Sequence, residues 1–328
     1  MKTQGKRFIC ILLAVILTLQ MMFVSGITVF ADTETPIVTP SDVDIYGVSL
    51  VLSGEIGLTF HVNVKRAYRG GTMELKFENK EYIAPITVNI TDCPTDGNGC
   101  YMATYYLSAI ELSEPVMLTV YDADGTTVLA KKSCSAEDYV NLLLIDEEAT
   151  EAEKNIGKTL INYGHFAQLA CSEANGWEIG EDYAETTAFY APTADGSVFD
   201  KYEMRWSSCS PDFDYVDMAL FFDYNTAISL CIPVSVEPEV LVNGVKVDAV
   251  QYDDCSYEIQ IAGISALHLE DEYEVTINGI TITLSAFSFG TLAVRYNDSP
   301  NTVNAVKALY EFYMATVEYN TQKAENNK

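Results

Sequence analysis

The residues able to do chemistry are scattered along this chain. The three histidines, His61, His165 and His268, stand far apart and form no H-E-x-x-H or other paired spacing. Helical zinc ligation of the metalloprotease kind is therefore not written here. No G-x-S-x-G elbow exposes a nucleophilic serine, and no G-x-x-x-x-G-K-[ST] loop cradles a phosphate. A glycosidase needs two carboxylates facing each other across a cleft. The chain has 47 Asp+Glu, too many for the sequence to say which of them pair.

Two local patterns point to binding rather than to catalysis. Asp122-Ala123-Asp124-Gly125 sets two carboxylates, Asp122 and Asp124, at a hairpin tip. Calcium takes several oxygen ligands, and the other positions of a calcium loop are missing, so a plain turn stands beside calcium, the one cofactor suggested. The second pattern is aromatic. Trp177 and Trp206, the only tryptophans, bracket a stretch containing Tyr183, Phe189, Tyr190, Phe199 and Tyr202. Trp177, Tyr183, Tyr190, Tyr202 and Trp206 are the candidate ligand-binding residues. Flat rings with polar tips stack on sugars; the same rings also suit packing of a linker against its neighbours.

Eight cysteines include Cys10 in the apolar N-terminal run. The other seven are an odd number and contain no C-x-x-C, which speaks against a redox pair or a zinc ribbon. Cys93 and Cys100 flank Pro-Thr-Asp-Gly-Asn-Gly and form the disulfide candidate. Cys231 alternates with the apolar Leu230 and Ile232 and is expected as a free thiol on an outer sheet face.

The elements that position these residues occur twice. Ser49–Val64 aligns without a gap on Ala219–Val234, with Leu50, Leu52, Leu58, Phe60, Val62 and Val64 opposite Leu220, Phe222, Ile228, Leu230, Ile232 and Val234. The shared period of two marks strands with one face in a core. Glu74–Tyr82 matches Glu239–Val247. Cys100–Val120 matches Cys255–Val275 more loosely, and the helical Leu160 and Tyr163 answer Leu309 and Phe312. Asn243-Gly244 and Asn278-Gly279 lie between alternating β-branched residues and predict tight hairpins. Ser135-Ala136-Glu137-Asp138 predicts a capped helix, an acidic run from Glu147 opens a second, Ser285 starts a third and Pro300 a fourth.

The expected fold is α+β and mainly β: two tandem antiparallel sandwich-like modules, each followed by helices. Module 1 covers 45–174, with strands to about 134 and helices 135–173. A linker covers 175–203. Module 2 covers 204–321, with strands to about 284 and helices 285–320, and 322–328 is a polar tail. A repeat this long is two domains rather than a solenoid.

Lys2, Lys6 and Arg7, followed by the apolar Phe8–Val24 and a small residue at Ala31, predict a secretory signal peptide over 1–31. A flexible leader follows at 32–44. No second apolar span of membrane length follows, so the expectation is secretion, with release or non-covalent surface association. The formal net charge of −28 repels nucleic acid and anionic membranes.

Ser49-Leu50-Val51-Leu52-Ser53-Gly54-Glu55-Ile56-Gly57-Leu58-Thr59-Phe60 resembles the opening strands of modules of unknown function in secreted proteins of gut Gram-positive anaerobes. Leu160–Gln168 and Val306–Tyr313 resemble their helices. The resemblance covers nearly all of the chain after the signal; it implies architecture and location, and no activity. The expected function is non-enzymatic binding or adhesion to a glycan or an extracellular protein. A structural or assembly module is the first alternative, and a carbohydrate-active enzyme or its accessory protein the second.

Overall fold

Alternation decides the strands. Leu58, Phe60 and Val62 are fully buried, whereas His61 and Asn63 between and beyond them are not. Met73, Leu75 and Phe77 are buried and alternate with partly exposed Thr72, Glu74 and Lys76. The computed structural model describes residues 42–51, 56–64, 71–80, 83–176, 189–208, 213, 215–222, 226–296 and 299–326. These described residues belong to one compact unit.

In the first half, β1 (Val43–Val51), β2 (Gly57–Val64) and β5 (Tyr101–Tyr106) form an antiparallel sheet in the order β1-β2-β5. The strands β3 (Thr72–Phe77), β4 (Ile86–Asn89), β6 (Val116–Tyr121) and β7 (Val128–Cys134) form a second, in the order β4-β3-β6-β7. Phe77 of one sheet meets Tyr105 of the other edge to face at 5.0 Å, so the core lies between the two sheets.

Two helices follow. In α1 (Ala136–Ile145) the Ser135 hydroxyl accepts from the Asp138 amide, and the Asp138 carboxylate accepts from the Ser135 amide. The longer α2 (Glu151–Asn175) starts later than the acidic run at Glu147 suggests, because Thr150 and Glu153 supply its capping box. It stops at Gly176, whose φ of 66° is left-handed.

The second half repeats this order. Its strands are β8 (Arg205–Trp206), β9 (Asp217–Phe222), β10 (Thr226–Ile232), β11 (Val240–Val242), β12 (Val245–Val247), β13 (Val250–Asp253), β14 (Ser256–Ile264), β15 (Tyr273–Ile277) and β16 (Ile280–Leu284). The sheets run β13-β14-β10-β9 and β12-β11-β15-β16-β8. Thus β9-β10-β14 reproduces β1-β2-β5, β12-β11-β15-β16 reproduces β4-β3-β6-β7, and β13 and β8 are added at edges. The helices α3 (Ala286–Arg295) and α4 (Pro300–Asn326) close the order. The fold is α+β, mainly β, with four antiparallel sheets.

The halves meet through α2 and α4, which pack along each other. Tyr163 and Phe312, which occupy matching places in the two halves, stack on one another at 6.0 Å with ring planes 9° apart. Contact between equivalent residues is what a local two-fold relation produces.

Residues 189–206 are bound into this interface. The Asn162 side chain on α2 accepts from the Tyr190 amide at 3.3 Å. Glu311 on α4 accepts from the Thr193 amide, the Thr193 hydroxyl and the Ala194 amide at 2.6–3.0 Å. Gly196–Tyr202 is a 3-10 helix whose Phe199 is fully buried. Phe199 packs against Phe287 and Tyr310, and its carbonyl accepts from the Thr291 hydroxyl at 2.6 Å.

Candidate binding face

The aromatic residues singled out by sequence are placed as follows. Trp177 and Tyr183 lie outside the described residues. Tyr190 is half-buried under the Lys158 ammonium, 4.9 Å from its ring centre. Its hydroxyl is pushed up to about 12, first by burial and then by the neighbouring Glu311 charge. Tyr202 packs on Phe287 at 5.1 Å and donates to Glu270 at 2.9 Å. Trp206, on edge strand β8, faces Phe213 at 6.0 Å. Each of these three rings is engaged in packing within the second half or its junction.

At the hairpin tip, the Asp124 carboxylate accepts from the amides of Thr126 and Thr127 and from the Thr127 hydroxyl. These bonds hold it well below the usual carboxylate range, the Thr127 hydroxyl foremost. Asp122 accepts from the next amide, that of Ala123. Both carboxylates are drawn into their own turn. Among the described residues, no three His, Cys, Asp or Glu side chains converge as a metal cage would.

Cys93 and Cys100 are free thiols. The loop between them is a hairpin in which Thr95 bridges Tyr101 and the Asp96 amide donates to the Cys100 carbonyl. Cys100 therefore faces Asp96, and Cys93 lies three positions further along, about 10 Å at strand spacing and beyond disulfide reach. Cys231 is a half-buried free thiol on β10, alternating with buried Leu230 and Ile232. Gly157-Lys158-Thr159, the nearest approach to a phosphate loop, is interior to α2, where the Thr159 hydroxyl donates to the Asn155 carbonyl.

The side chains that do converge were missed by spacing arguments. On the outer face of the β1-β2-β5 sheet, the Ser49 hydroxyl lies 2.9 Å from His61 Nε2, and His61 Nδ1 lies 2.9 Å from Asp96 Oδ2. The tautomer with its proton on Nδ1 satisfies both contacts: Nδ1–H donates to Asp96 and Nε2 accepts the serine hydroxyl.

Strand register builds this chain. His61 pairs with Gly47 and Thr59 with Ser49, so Ser49 and His61 share a face, diagonally across two strands. A bulge between Ile45 and Gly47 sets that register. The 94–101 hairpin then carries Asp96 over the sheet edge. Asp96 Oδ1 accepts the Asn98 and Cys100 amides at 2.8 and 2.9 Å, which aims Oδ2 at the imidazole.

The same face carries Thr59 and Thr104, whose hydroxyls meet at 2.7 Å, and Tyr106, which is 43% exposed. Tyr106 pairs with Gly57, where an added Cβ would fall 3.1 Å from the tyrosine ring. The face thus combines hydroxyl, imidazole and carboxylate groups with one exposed ring. A sequence signal for it did exist: the alternation that puts Leu58, Phe60 and Val62 in the core puts Thr59, itself buried, and the less buried His61 together on the opposite face.

The Asp96 carboxyl is held below its ordinary value, by the Cys100 amide foremost and also by His61 and the Asn98 amide, against partial desolvation. A depressed carboxyl contributes stability that is complete above the unfolded value of about 3.9 and is lost as pH falls through the lower folded value. NMR titration of the Asn98 and Cys100 amides is expected to show a midpoint below about 3.9. A midpoint at or above it would contradict this geometry.

A separate apolar concavity of about 240 Å3 lies between β1, β7 and α1, lined by Val48, Lys132, Cys134, Tyr139, Leu142, Leu143 and Asp146. Val48 pairs with buried Phe60 and so belongs to the core side of β1, opposite to Ser49. Among the described residues, no helix is long and apolar enough to cross a membrane. No known protein family matches the chain, and no curated protein matches its sequence.

Proposed function

We propose that this chain is an extracellular binding protein that engages a glycan, or a polar patch of an extracellular protein, through the outer face of the β1-β2-β5 sheet. The observation that carries the reading is the ordered run Ser49–His61–Asp96 on the same sheet face as exposed Tyr106, which sits further along that face opposite Gly57. Sugars are recognised by fixed hydroxyl, imidazole and carboxylate partners next to a flat ring. Here the polar groups are held by one another rather than by mobile surface side chains, which lowers the ordering cost of binding.

Export rests on the basic and apolar N-terminal run, which reads as a signal peptide over 1–31. The resemblance to secreted modules of gut Gram-positive anaerobes points the same way. The strongly acidic charge makes nucleic acid an unsuitable partner.

The test is a glycan array probed with residues 32–328, which contain the whole described structure. Tyr106→Ala is expected to weaken a hit by about 10-fold or more, equivalent to at least one stacking contact. Trp206→Ala, on the far sheet, is expected to leave it unchanged. Chelating calcium is expected to have no effect, because Asp122 and Asp124 serve their own turn. A hit abolished by Trp206→Ala and indifferent to Tyr106→Ala would move the site to the aromatic junction and defeat this assignment.

A further inference from the structure

Binding alone does not require that a serine hydroxyl meet the free nitrogen of a carboxylate-oriented histidine. We propose that Ser49 is a nucleophile for acyl transfer, with His61 as its general base and Asp96 as the group that positions His61, and that it accepts small acyl groups from activated esters. This goes beyond the binding reading.

The geometry has the parts such a reaction needs. The nucleophile and base are within hydrogen-bond reach at 2.9 Å, and the base is within 2.9 Å of its orienting carboxylate. Asp96 cannot readily turn away, because its other oxygen is fixed by two backbone amides. That fixes the imidazole proton on Nδ1 and leaves the Nε2 lone pair facing Ser49. The His61 and Asp96 side chains are 19% and 15% exposed, so the pair is largely desolvated yet still open to substrate and to water.

In this proposal the developing oxyanion is met by the Thr59–Thr104 hydroxyl pair on the same face. Thr59 pairs directly with Ser49 across β1 and β2, which sets their Cβ atoms about 5 Å apart. The Thr59 and Thr104 hydroxyls meet at 2.7 Å. In such a pair one O–H donates to the other, and the second O–H is left to donate elsewhere.

The chemistry balances with these groups alone. Ser49 Oγ attacks the acyl carbon while its proton passes to His61 Nε2. The bond from the acyl carbon to the leaving oxygen breaks, and His61 returns the proton to that oxygen. The products are O-acyl Ser49 and a free alcohol. Water attacking by the same route releases a carboxylic acid and restores the serine.

The test uses p-nitrophenyl acetate on residues 32–328, with p-nitrophenol release followed by absorbance and the adduct located by peptide mass mapping. One acetyl group on the Ser49 peptide is expected. Ser49→Ala should abolish that adduct. His61→Gln should slow its formation by about 10²–10⁴-fold, the usual contribution of a general base. Asp96→Asn should slow it as well while the melting transition persists, which separates positioning from loss of fold.

Wild-type mapping decides the matter even if a variant misfolds: acetyl groups on lysines with none on Ser49 would overturn the proposal. So would a Ser49 adduct that forms as fast in His61→Gln. The acylation is read without any glycan and the array without any ester, so failure of one leaves the other standing.

Discussion

Phe199→Ala is expected to lower stability by about 3–5 kcal/mol, the range for truncating a fully buried phenylalanine. Phe199 has no exposed surface and packs on Phe287 and Tyr310. The site cannot collapse easily around the void. Opposite the ring is Gly290, which has no side chain to move in and where even an added Cβ would lie 2.6 Å from Phe199. Two hydrogen bonds hold the segment at fixed depth: Thr291 donates to the Phe199 carbonyl, and Ser288 donates to the Tyr202 carbonyl. Chemical denaturation monitored by fluorescence checks the loss. A change under about 1 kcal/mol would mean that the 3-10 helix Gly196–Tyr202 is not part of the core.

The second large effect is at Glu111. Its carboxylate accepts from the Ser108 amide and hydroxyl and from the Lys80 ammonium, at 2.8–3.2 Å. The two charged side chains are 17% and 10% exposed, Lys80 and Glu111 respectively. Lys80 also lies over the Phe77 ring, 5.0 Å from its centre.

Glu111→Ala leaves an ammonium without its partner against an apolar ring and uncaps the 3-10 helix Ala109–Glu111. Breaking such a pair costs about 3 kcal/mol or more. The damage reaches α2, because Gly164 lies so close to this turn that an added Cβ would be 2.8 Å from the Ala109 carbonyl. The double change Lys80→Met with Glu111→Ala is expected to recover a large part of the loss, since the unpaired charge is then gone. Urea unfolding of the single and double variants measures this. A double variant no more stable than Glu111→Ala would show that the cap, not the charge, dominates.

Much of the fold was legible because the deciding interactions are local. Asn243-Gly244 and Asn278-Gly279 carry positive φ angles of 50°, 79°, 49° and 84°, and each joins two paired strands, as the dipeptides predict. Ser135 caps the helix that follows it with its hydroxyl, and α3 begins just after Ser285, whose amide donates to the Ser288 hydroxyl. The alternation in β2 and β10 names the core side chains directly.

What could not be read locally depends on register. Ser49 and His61 meet only because β1 pairs with β2 through a bulge, and Asp96 joins them only because the 94–101 hairpin folds back. No spacing rule connects positions 49, 61 and 96. The stretch around Phe199 was misleading in another way. Its Gly, Asp and Thr content reads as a connection, yet a single phenylalanine in it fills the junction of α3 and α4. Likewise Tyr190, Tyr202 and Trp206 carry ring types suited to sugar stacking, and only tertiary contacts reveal that they are engaged by Lys158, Phe287 and Phe213.

The most direct test of the binding face is an amide-shift map of residues 32–328 titrated with the strongest ligand from the array. The perturbed amides are predicted to cluster at Ser49, His61, Asn98, Cys100 and Tyr106, with α2 and α4 unaffected. Perturbations centred on Trp206 and the 189–206 segment would contradict the account, and an array without a single reproducible ligand would contradict its glycan form.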